Sequence, residues 1–259
     1  MAYLTLTPET LPGSHICCAL SDKKCAGGSE AKKQWLGEQY AYGYRFRRLD
    51  ERAKVFIEYG PAESAWMPVI APGWLVMGCF WVSGRHKGHG HGKALLGCAL
   101  QDARDQGRAG LVAVVGRRKM PFQSDGEWLL RQGFREVDAL DSGFCLLALA
   151  LNESGSAEVP RFAECARNLS AFECPGITAY YSDRCPFTKH HVEVSLRQVC
   201  HDRGLHLTIH KLDTVSAAQN APSPATIFSL FVDGRFATSD LSACTGNRFD
   251  KVIAEALGS

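Results

Sequence analysis

A buried strand, a glycine-rich turn and a helix follow one another directly between residues 74 and 107, and this succession constrains the fold more than any other feature. The run WLVMGCFWV (74–82) is almost entirely apolar, which is typical of a strand covered on both faces at the centre of a sheet. Three glycines occupy alternate positions in the turn at 88–92. Apolar residues then recur at helical spacing through 93–107, where a glycine ends the helix. The segment predicts an α/β sheet.

The remaining chain alternates strands and helices on both sides of a break rich in small and polar residues. Further predicted strands cover 55–59, 111–116, 144–151, 177–183 and 205–213, predicted helices cover 125–134, 186–204 and 248–257, and 225–238 forms a hairpin around Asp-Gly. The break at 152–175 interrupts this pattern. We therefore predict a mixed α/β (α+β) protein with a first domain at 1–152, a linker at 153–175 and a second domain at 176–259.

Composition excludes several classes of protein. The chain has 259 residues, 46% of them hydrophobic, with a formal net charge of +2, so neither a nucleic-acid nor a membrane partner is expected. Eleven cysteines, an odd number without any CxxC pair, argue against a disulfide scaffold. The first 15 residues lack the pattern of a signal peptide, and the apolar runs are too short to span a bilayer. We expect a cytoplasmic protein.

The glycine-rich turn is suited to binding a phosphate. Glycine lets the backbone approach a ligand closely, and the partial positive charge of a helix N-terminus favours an anion. The P-loop motif fails because Ala94 follows Gly92-Lys93 where Ser or Thr is needed, and the Rossmann spacing is also absent. A tight turn without a ligand remains the alternative. His86 just before the turn and His89 and His91 within it could bind a metal, but the glycines between them leave no rigid ligand geometry, so no metal site is expected.

Val82, Lys87, Gly90 and Gly92 together resemble the acetyl-CoA signature of the GNAT acyltransferases, Val-x-x-x-x-Arg/Gln-x-x-Gly-x-Gly/Ala, with Lys87 in place of Arg or Gln. The resemblance implies that loop amides hold the CoA pyrophosphate and that the preceding strand pairs with pantetheine. The implied cofactor-binding residues are Phe80, Trp81, Val82, Lys87, Gly88, His89, Gly90, His91, Gly92 and Lys93.

A longer resemblance extends through nearly the whole chain. The segments 15–24, 31–36, 54–59, 71–84 and 132–134 are similar to the YoaP-like acetyltransferases. In these proteins a GNAT domain precedes a thioredoxin-like domain. The resemblance therefore implies the same two-domain architecture here, with acetyl-CoA as cosubstrate, and it leaves the acceptor unidentified.

Catalytic groups of the first domain are implied less completely. GNAT enzymes take a donor to the thioester oxygen from a strand amide, here within 79–82, and many place a tyrosine acid where this chain has Leu129. Glu58 is the predicted base, with a merely solvated or ion-paired carboxylate as the alternative. Cys18, close to His15, is a second candidate because a cysteine near a histidine can be activated.

The second domain contains a cysteine at a helix start, a position that stabilises a thiolate. Cys185-Pro186-Phe187-Thr188 resembles the thioredoxin active-site turn, with Thr188 replacing the second cysteine. Ser223-Pro224 resembles the cis-proline site of that fold. Cys185 is thus a third catalytic candidate. The domain is predicted to be a monothiol redox site, a substrate-presenting module or a structural unit.

The leading hypothesis is an acetyl-CoA-dependent N-acyltransferase acting on a small molecule. The alternatives are a thiol-redox or thiol-binding protein using Cys185, with the first domain as a scaffold, and a metal- or metallophore-associated protein using scattered cysteine and histidine. The oligomeric state is left open, with a homodimer as one option.

Overall fold

Thirteen strands and eight α-helical segments make up the described part of the chain, residues 2–16, 22–151, 157–168 and 175–258 of a computed structural model. The strands are β1 Tyr3–Thr5, β2 Arg45–Leu49, β3 Val55–Pro61, β4 Val69–Ile70, β5 Leu75–Val82, β6 Gly110–Gly116, β7 Arg135–Ala139, β8 Phe144–Ala150, β9 Arg161–Phe162, β10 Ile177–Tyr181, β11 Leu207–Lys211, β12 Phe228–Val232 and β13 Arg235–Thr238. The helices are α1 Ala26–Tyr40, α2 His91–Asp105, α3 Gly126–Arg131, α4 Glu164–Arg167, α5 Thr188–His190, α6 Arg197–Asp202, α7 Val215–Gln219 and α8 Gly246–Leu257.

The larger sheet has the order β1-β2-β3-β5-β6-β8-β7, so the apolar strand β5 lies at its centre as predicted. All its pairs are antiparallel except β5–β6. Helices α2 and α3 cover one face, where Leu95, Ala99 and Leu129 pack on β3, β5, β6 and β8. Helix α1 covers the other face through Trp35 and Leu36.

The smaller sheet has the order β11-β10-β12-β13, in which β10 pairs parallel with β11 and antiparallel with β12. The connection from β10 to β11 is helical: α5, a π-helical turn at His191–Leu196 and α6 form one rod, close to the predicted helix at 186–204. The predicted hairpin at 225–238 is confirmed as β12 and β13. In the described ranges, no helix combines the length and apolar character needed to cross a membrane.

One hydrophobic cluster contains residues of both sheets. Trp35, Tyr44 and Trp66 from the first part of the chain pack with Tyr180 and Phe231 of the smaller sheet. Apolar contact therefore continues from one predicted domain into the other, which holds the smaller sheet against the face of the larger sheet that carries α1.

The predicted linker contains two short regular elements, β9 at Arg161–Phe162 and α4 at Glu164–Arg167. Strand β9 pairs with β4, and Phe162 of β9 is 1% exposed. Asp138 on β7 accepts a hydrogen bond from the Phe162 amide (2.7 Å) and forms an ion pair with Arg167. These polar contacts and the burial of one aromatic ring explain why a segment with a loop-like composition is ordered against the larger sheet.

The close approach of α1 to the Cys185–Pro186 turn gives a testable prediction. A Cβ at Gly28 would lie 2.0 Å from the Pro186 carbonyl oxygen, whereas a Cβ at the neighbouring Gly27 would meet nothing within 4 Å. We expect Gly28→Ala to lower the free energy of unfolding by about 1–3 kcal/mol because the backbone must shift. Gly27→Ala, the matched control, should change it by about 0.5 kcal/mol or less. Urea denaturation measures both, and equal effects would contradict this packing.

Candidate active site

The glycine-rich turn presents backbone donors at the start of α2. Gly88 and Gly90 both have φ of +80°, a conformation that favours glycine. Gly90 is the N-cap of α2 and supplies no side-chain cap. Within the described chain, no backbone N–H of residues 88–93 donates to a protein acceptor. These donors, with the helix dipole, are therefore available to an anion.

Basic side chains surround these donors. Arg85, Lys87, His89 and Lys93 are exposed, and Arg85 forms an ion pair with Glu51 (3.3 Å). The arrangement adds positive charge to a turn whose backbone already favours phosphate.

The His91 side chain is buried beneath the glycine-rich turn, against β1. It is 3% exposed, and its Nδ1 lies 2.9 Å from the Tyr3 hydroxyl of β1. Burial, followed by the positive charge of His86 and His89, lowers the pKa of His91. Because its imidazole is packed inside the protein, only the backbone N–H of His91 is available for the predicted contact with the cofactor. Among the described residues, no group of three or more His, Cys, Asp or Glu side chains is arranged to hold a metal ion.

A cleft opens where β5 and β6 diverge. The two parallel strands pair only at Leu75–Leu111 and Val76–Val112, although both continue beyond this point. The later part of β5 therefore pairs with β3 alone, and its other edge is not used by β6. Such an edge can pair with an extended ligand.

The three predicted contact residues on β5 lie on both faces of the sheet. Phe80 and Val82 pack against the core beneath α2, and the Phe80 ring lies 5.3 Å from that of Trp128. A Cβ at Gly92 would lie 3.1 Å from the Trp128 ring, so a glycine here lets α3 approach the start of α2. Trp81, 45% exposed, alternates to the opposite face.

An extra residue in β5 sits opposite the predicted base. Ile57 pairs with Phe80 and Tyr59 with Met77, so Gly78 and Cys79 together face the single residue Glu58. A bulge of this kind leaves one backbone group outside the ladder. The bulge follows directly after the point where β5 leaves β6, so it lies at the closed end of the cleft.

Glu58 is buried in a polar cluster that sequence reasoning missed. Its Oε1 lies 2.5 Å from Lys32 Nζ on α1, and its Oε2 accepts a hydrogen bond from the Tyr44 hydroxyl (3.1 Å). Lys32 and Glu58 are each 1% exposed. Burial, followed by the Glu58 carboxylate, raises the pKa of Tyr44 well above its ordinary value. The alternative of an ion-paired Glu58 is therefore what the structure has. Its partner Tyr44 has its hydroxyl beside Gly78.

Comparison with known proteins places the chain in a family. It is 38% identical over 253 residues to a protein named an uncharacterized N-acetyltransferase YoaP from Bacillus subtilis (strain 168), and the match covers 98% of each chain. Residues 207–251 match the YoaP-like family. The chain belongs to the YoaP-like N-acetyltransferases.

Solved structures of GNAT acetyltransferases resemble this chain less closely than the Bacillus subtilis relative does. The ribosomal-protein-alanine N-acetyltransferase of Brucella melitensis is 17% identical, with a TM-score of 0.41, and the match covers 58% of this chain and 100% of that one. The PaiA N-acetyltransferase of Thermoplasma acidophilum, solved with coenzyme A, is 16% identical with a TM-score of 0.39, over 58% and 99% of the two chains. Family membership rests on the Bacillus subtilis relative.

This YoaP-like N-acetyltransferase has no tyrosine acid on α3. Leu129 is fully buried in the core of the larger sheet, and its neighbour Trp128 packs against Phe80 of β5 and against Gly92 at the start of α2. Leu129 therefore cannot donate a proton in place of the tyrosine that many GNAT enzymes have at this position.

The Cys185 turn packs inside the YoaP-like protein. Cys185 is 6% exposed, and the turn contacts α1 at Gly28. Thr188, fully buried, has its hydroxyl 2.7 Å from the Cys185 carbonyl oxygen and 2.8 Å from that of Ser182. The Thr188 hydroxyl thus stabilises the turn by hydrogen bonds to its backbone. A catalytic role for Cys185 stays a prediction. The other cysteine candidate, Cys18, lies outside the described residues.

The expected cis bond at Ser223–Pro224 is wrong. No peptide bond in the described ranges is cis. The Thr226 hydroxyl accepts a hydrogen bond from Arg184 Nη1 (2.9 Å), directly before the Cys185 turn.

Proposed function

We propose that this YoaP-like N-acetyltransferase binds acetyl-CoA along the free edge of β5 and transfers the acetyl group to an amine of a small molecule. One observation carries the proposal: the open strand edge leads directly into a turn whose six backbone amides, 88–93, have no acceptor in the described chain. A strand edge next to helix-start donors matches an extended chain joined to a pyrophosphate.

Each part of the cofactor has a group in the chain that fits it. The amides of 88–93 would hold the pyrophosphate, with Lys87 and Lys93 adding charge, and β5 beyond Val76 would pair with the pantetheine. Bound acetyl-CoA supplies a thioester, whose carbonyl carbon is open to attack by an amine. This use of backbone groups tolerates Lys87 in the signature, since that position needs no particular side chain to turn the backbone.

The bulge and the polar cluster supply the chemistry of the transfer. The bulge places the Gly78 amide where it would donate to the carbonyl oxygen as negative charge develops there. Tyr44, hydrogen-bonded to Glu58, lies beside the bulge and provides the route by which the amine loses its proton. Lys32 balances the carboxylate charge. With Leu129 buried, we infer that the leaving thiolate takes its proton from solvent or from the amine.

We propose that the smaller sheet is a thioredoxin-like unit. The order β11-β10-β12-β13, with a parallel pair joined by a helix and followed by an antiparallel hairpin and a last helix, supports this assignment. Its buried Cys185 turn against α1 supports a structural or substrate-presenting role over an exposed redox site.

Tyr44 tests the proposed chemistry. Assayed by CoA release with pools of polyamines, amino acids and amino sugars, the wild-type chain should consume acetyl-CoA above background. Tyr44→Phe should lower kcat about 10- to 100-fold with the KM for acetyl-CoA unchanged, because the proton route is lost while the cofactor site is intact. Tyr42→Phe is the matched control, since Tyr42 is 62% exposed. No consumption with any pool, or equal rates for both variants, would contradict the proposal.

A further inference from the structure

Arg184 brings a charge from the smaller unit into the polar cluster at the cleft. It follows β10, directly before Cys185, and is 4% exposed. Its Nη1 donates to the Trp66 carbonyl oxygen (3.0 Å) and to the Thr226 hydroxyl (2.9 Å), and its guanidinium lies 5.8 Å from the Trp35 ring. These contacts anchor the side chain through one of its three nitrogens.

The other two nitrogens of the Arg184 guanidinium, Nε and Nη2, differ from Nη1 in their surroundings. Nε is buried without a hydrogen-bond partner, and Nη2 lies 3.5 Å from the point that a Cβ on Gly78 would occupy. Among the described residues, no carboxylate oxygen comes within 4.0 Å of this guanidinium. A buried donor without an acceptor is costly, so this geometry calls for one.

The charges around Arg184 do not cancel. Lys32 and Glu58 form a buried pair that is neutral as a unit, and the adjacent Asp183 pairs with Lys211 at 2.7 Å. Arg184 therefore adds one positive charge to a buried environment. Such a charge is stable only when an anion accompanies it.

Arg184 also lines a pocket together with Tyr44, Trp66, Val76 and Gly78. Val76 is the last β5 residue that pairs with β6. The pocket encloses about 210 Å³ of empty space, counting the space open to solvent.

We propose that the acceptor carries a carboxylate and that Arg184, through Nε and Nη2, binds it. The inference rests on the proposed transferase function and adds the chemical class of the acceptor. A planar guanidinium edge with two donors matches the two oxygens of a carboxylate. The amine of the same molecule is then held near the bulge and Tyr44. The smaller unit thereby selects the acceptor of the larger one.

Formate and formamide test the binding site directly. Saturation-transfer NMR on the full-length protein should show transfer to formate at least about fivefold stronger than to formamide, because formamide has the same size and no charge. Arg184→Lys should reduce the formate signal by about tenfold or more, since an ammonium cannot supply the two-donor edge. Equal signals for formate and formamide, or an unchanged signal in Arg184→Lys, would overturn the proposal, as would displacement of formate by a lower concentration of inorganic phosphate.

A second variant leaves Arg184 in place. Gly78→Ala in a Tyr44→Phe background fills the space beside Nη2, since the new Cβ would otherwise lie 2.3 Å from the removed hydroxyl. It should abolish the formate signal, whereas Tyr44→Phe alone should retain it. A formate signal that survives Gly78→Ala in this background would overturn the proposal even if Arg184→Lys fails to fold.

Turnover separates this inference from the proposed function. In the CoA-release assay, amino acids should exceed their carboxamides in kcat/KM by at least about tenfold, and Arg184→Lys should remove that preference. If acetyl-CoA is consumed equally with both kinds of acceptor, the carboxylate site is wrong and the transferase stands. If acetyl-CoA does not bind at all, the transferase proposal fails while the formate measurement still decides whether the anion site exists.

Discussion

Replacing Lys32 by methionine is expected to lower the free energy of unfolding by about 3–5 kcal/mol, because it leaves the Glu58 carboxylate buried without its counter-charge. The pair is 2.5 Å apart, and each partner is 1% exposed. Methionine fits the space otherwise, since Lys32 Nζ lies 5.6 and 6.0 Å from the centres of the Phe46 and Phe56 rings, where a thioether packs well. The expected loss of stability therefore measures the effect of removing the positive charge and not the effect of a change in side-chain volume.

Two further variants check the cause of that loss. Lys32→Met combined with Glu58→Gln should recover most of the stability, because no isolated charge remains and the glutamine oxygen can still accept from Tyr44. Lys33→Met, the neighbour whose Nζ donates to the Pro12 carbonyl oxygen at the surface, should change the free energy by about 1 kcal/mol or less. Denaturant unfolding measures all three. A double variant as unstable as Lys32→Met would contradict the charge argument.

The second large effect is expected on cofactor affinity. Gly90→Val should weaken acetyl-CoA binding by about 10- to 100-fold, because a β-branched residue cannot hold φ at +80° and the turn must move its amides. No atom lies within 4 Å of the Cβ position at Gly90, so the loss comes from backbone conformation and not from a clash.

Gly97→Val is the matched control for the loop. Gly97 lies in the same helix, its Cβ position is equally open, and its φ lies outside the left-handed range. Calorimetric titration should give the wild-type affinity for this variant. Equal losses at both positions would assign the effect to the helix as a whole and contradict a role for the turn.

Local patterns predicted the central elements well. Strand β5, helix α2 and the β12–β13 hairpin were all expected from apolar runs, helical spacing and an Asp-Gly turn. Helix α1 was not expected, since its sequence includes three glycines and no clear apolar stripe. It is held by tertiary packing of Trp35 and Leu36, which no short-range pattern reveals.

Only part of the candidate site could be predicted from the sequence, because the rest is assembled by tertiary packing. The glycine-rich turn and Glu58 are visible in the sequence because a motif or strand position marks them. Lys32, Tyr44 and Arg184 come from three distant segments and meet only through the fold. The bulge at Gly78–Cys79 depends on strand register, which the alternation of one strand alone does not specify.

Amide hydrogen exchange with and without acetyl-CoA tests the central claim most directly. If the cofactor lies along β5 and the turn, saturating acetyl-CoA should slow exchange at residues 88–93 and in β5 beyond Val76, because these amides gain acceptors. Amides in the strands of the smaller sheet should be unchanged. Unaltered exchange at 88–93 in the presence of bound acetyl-CoA would contradict the account.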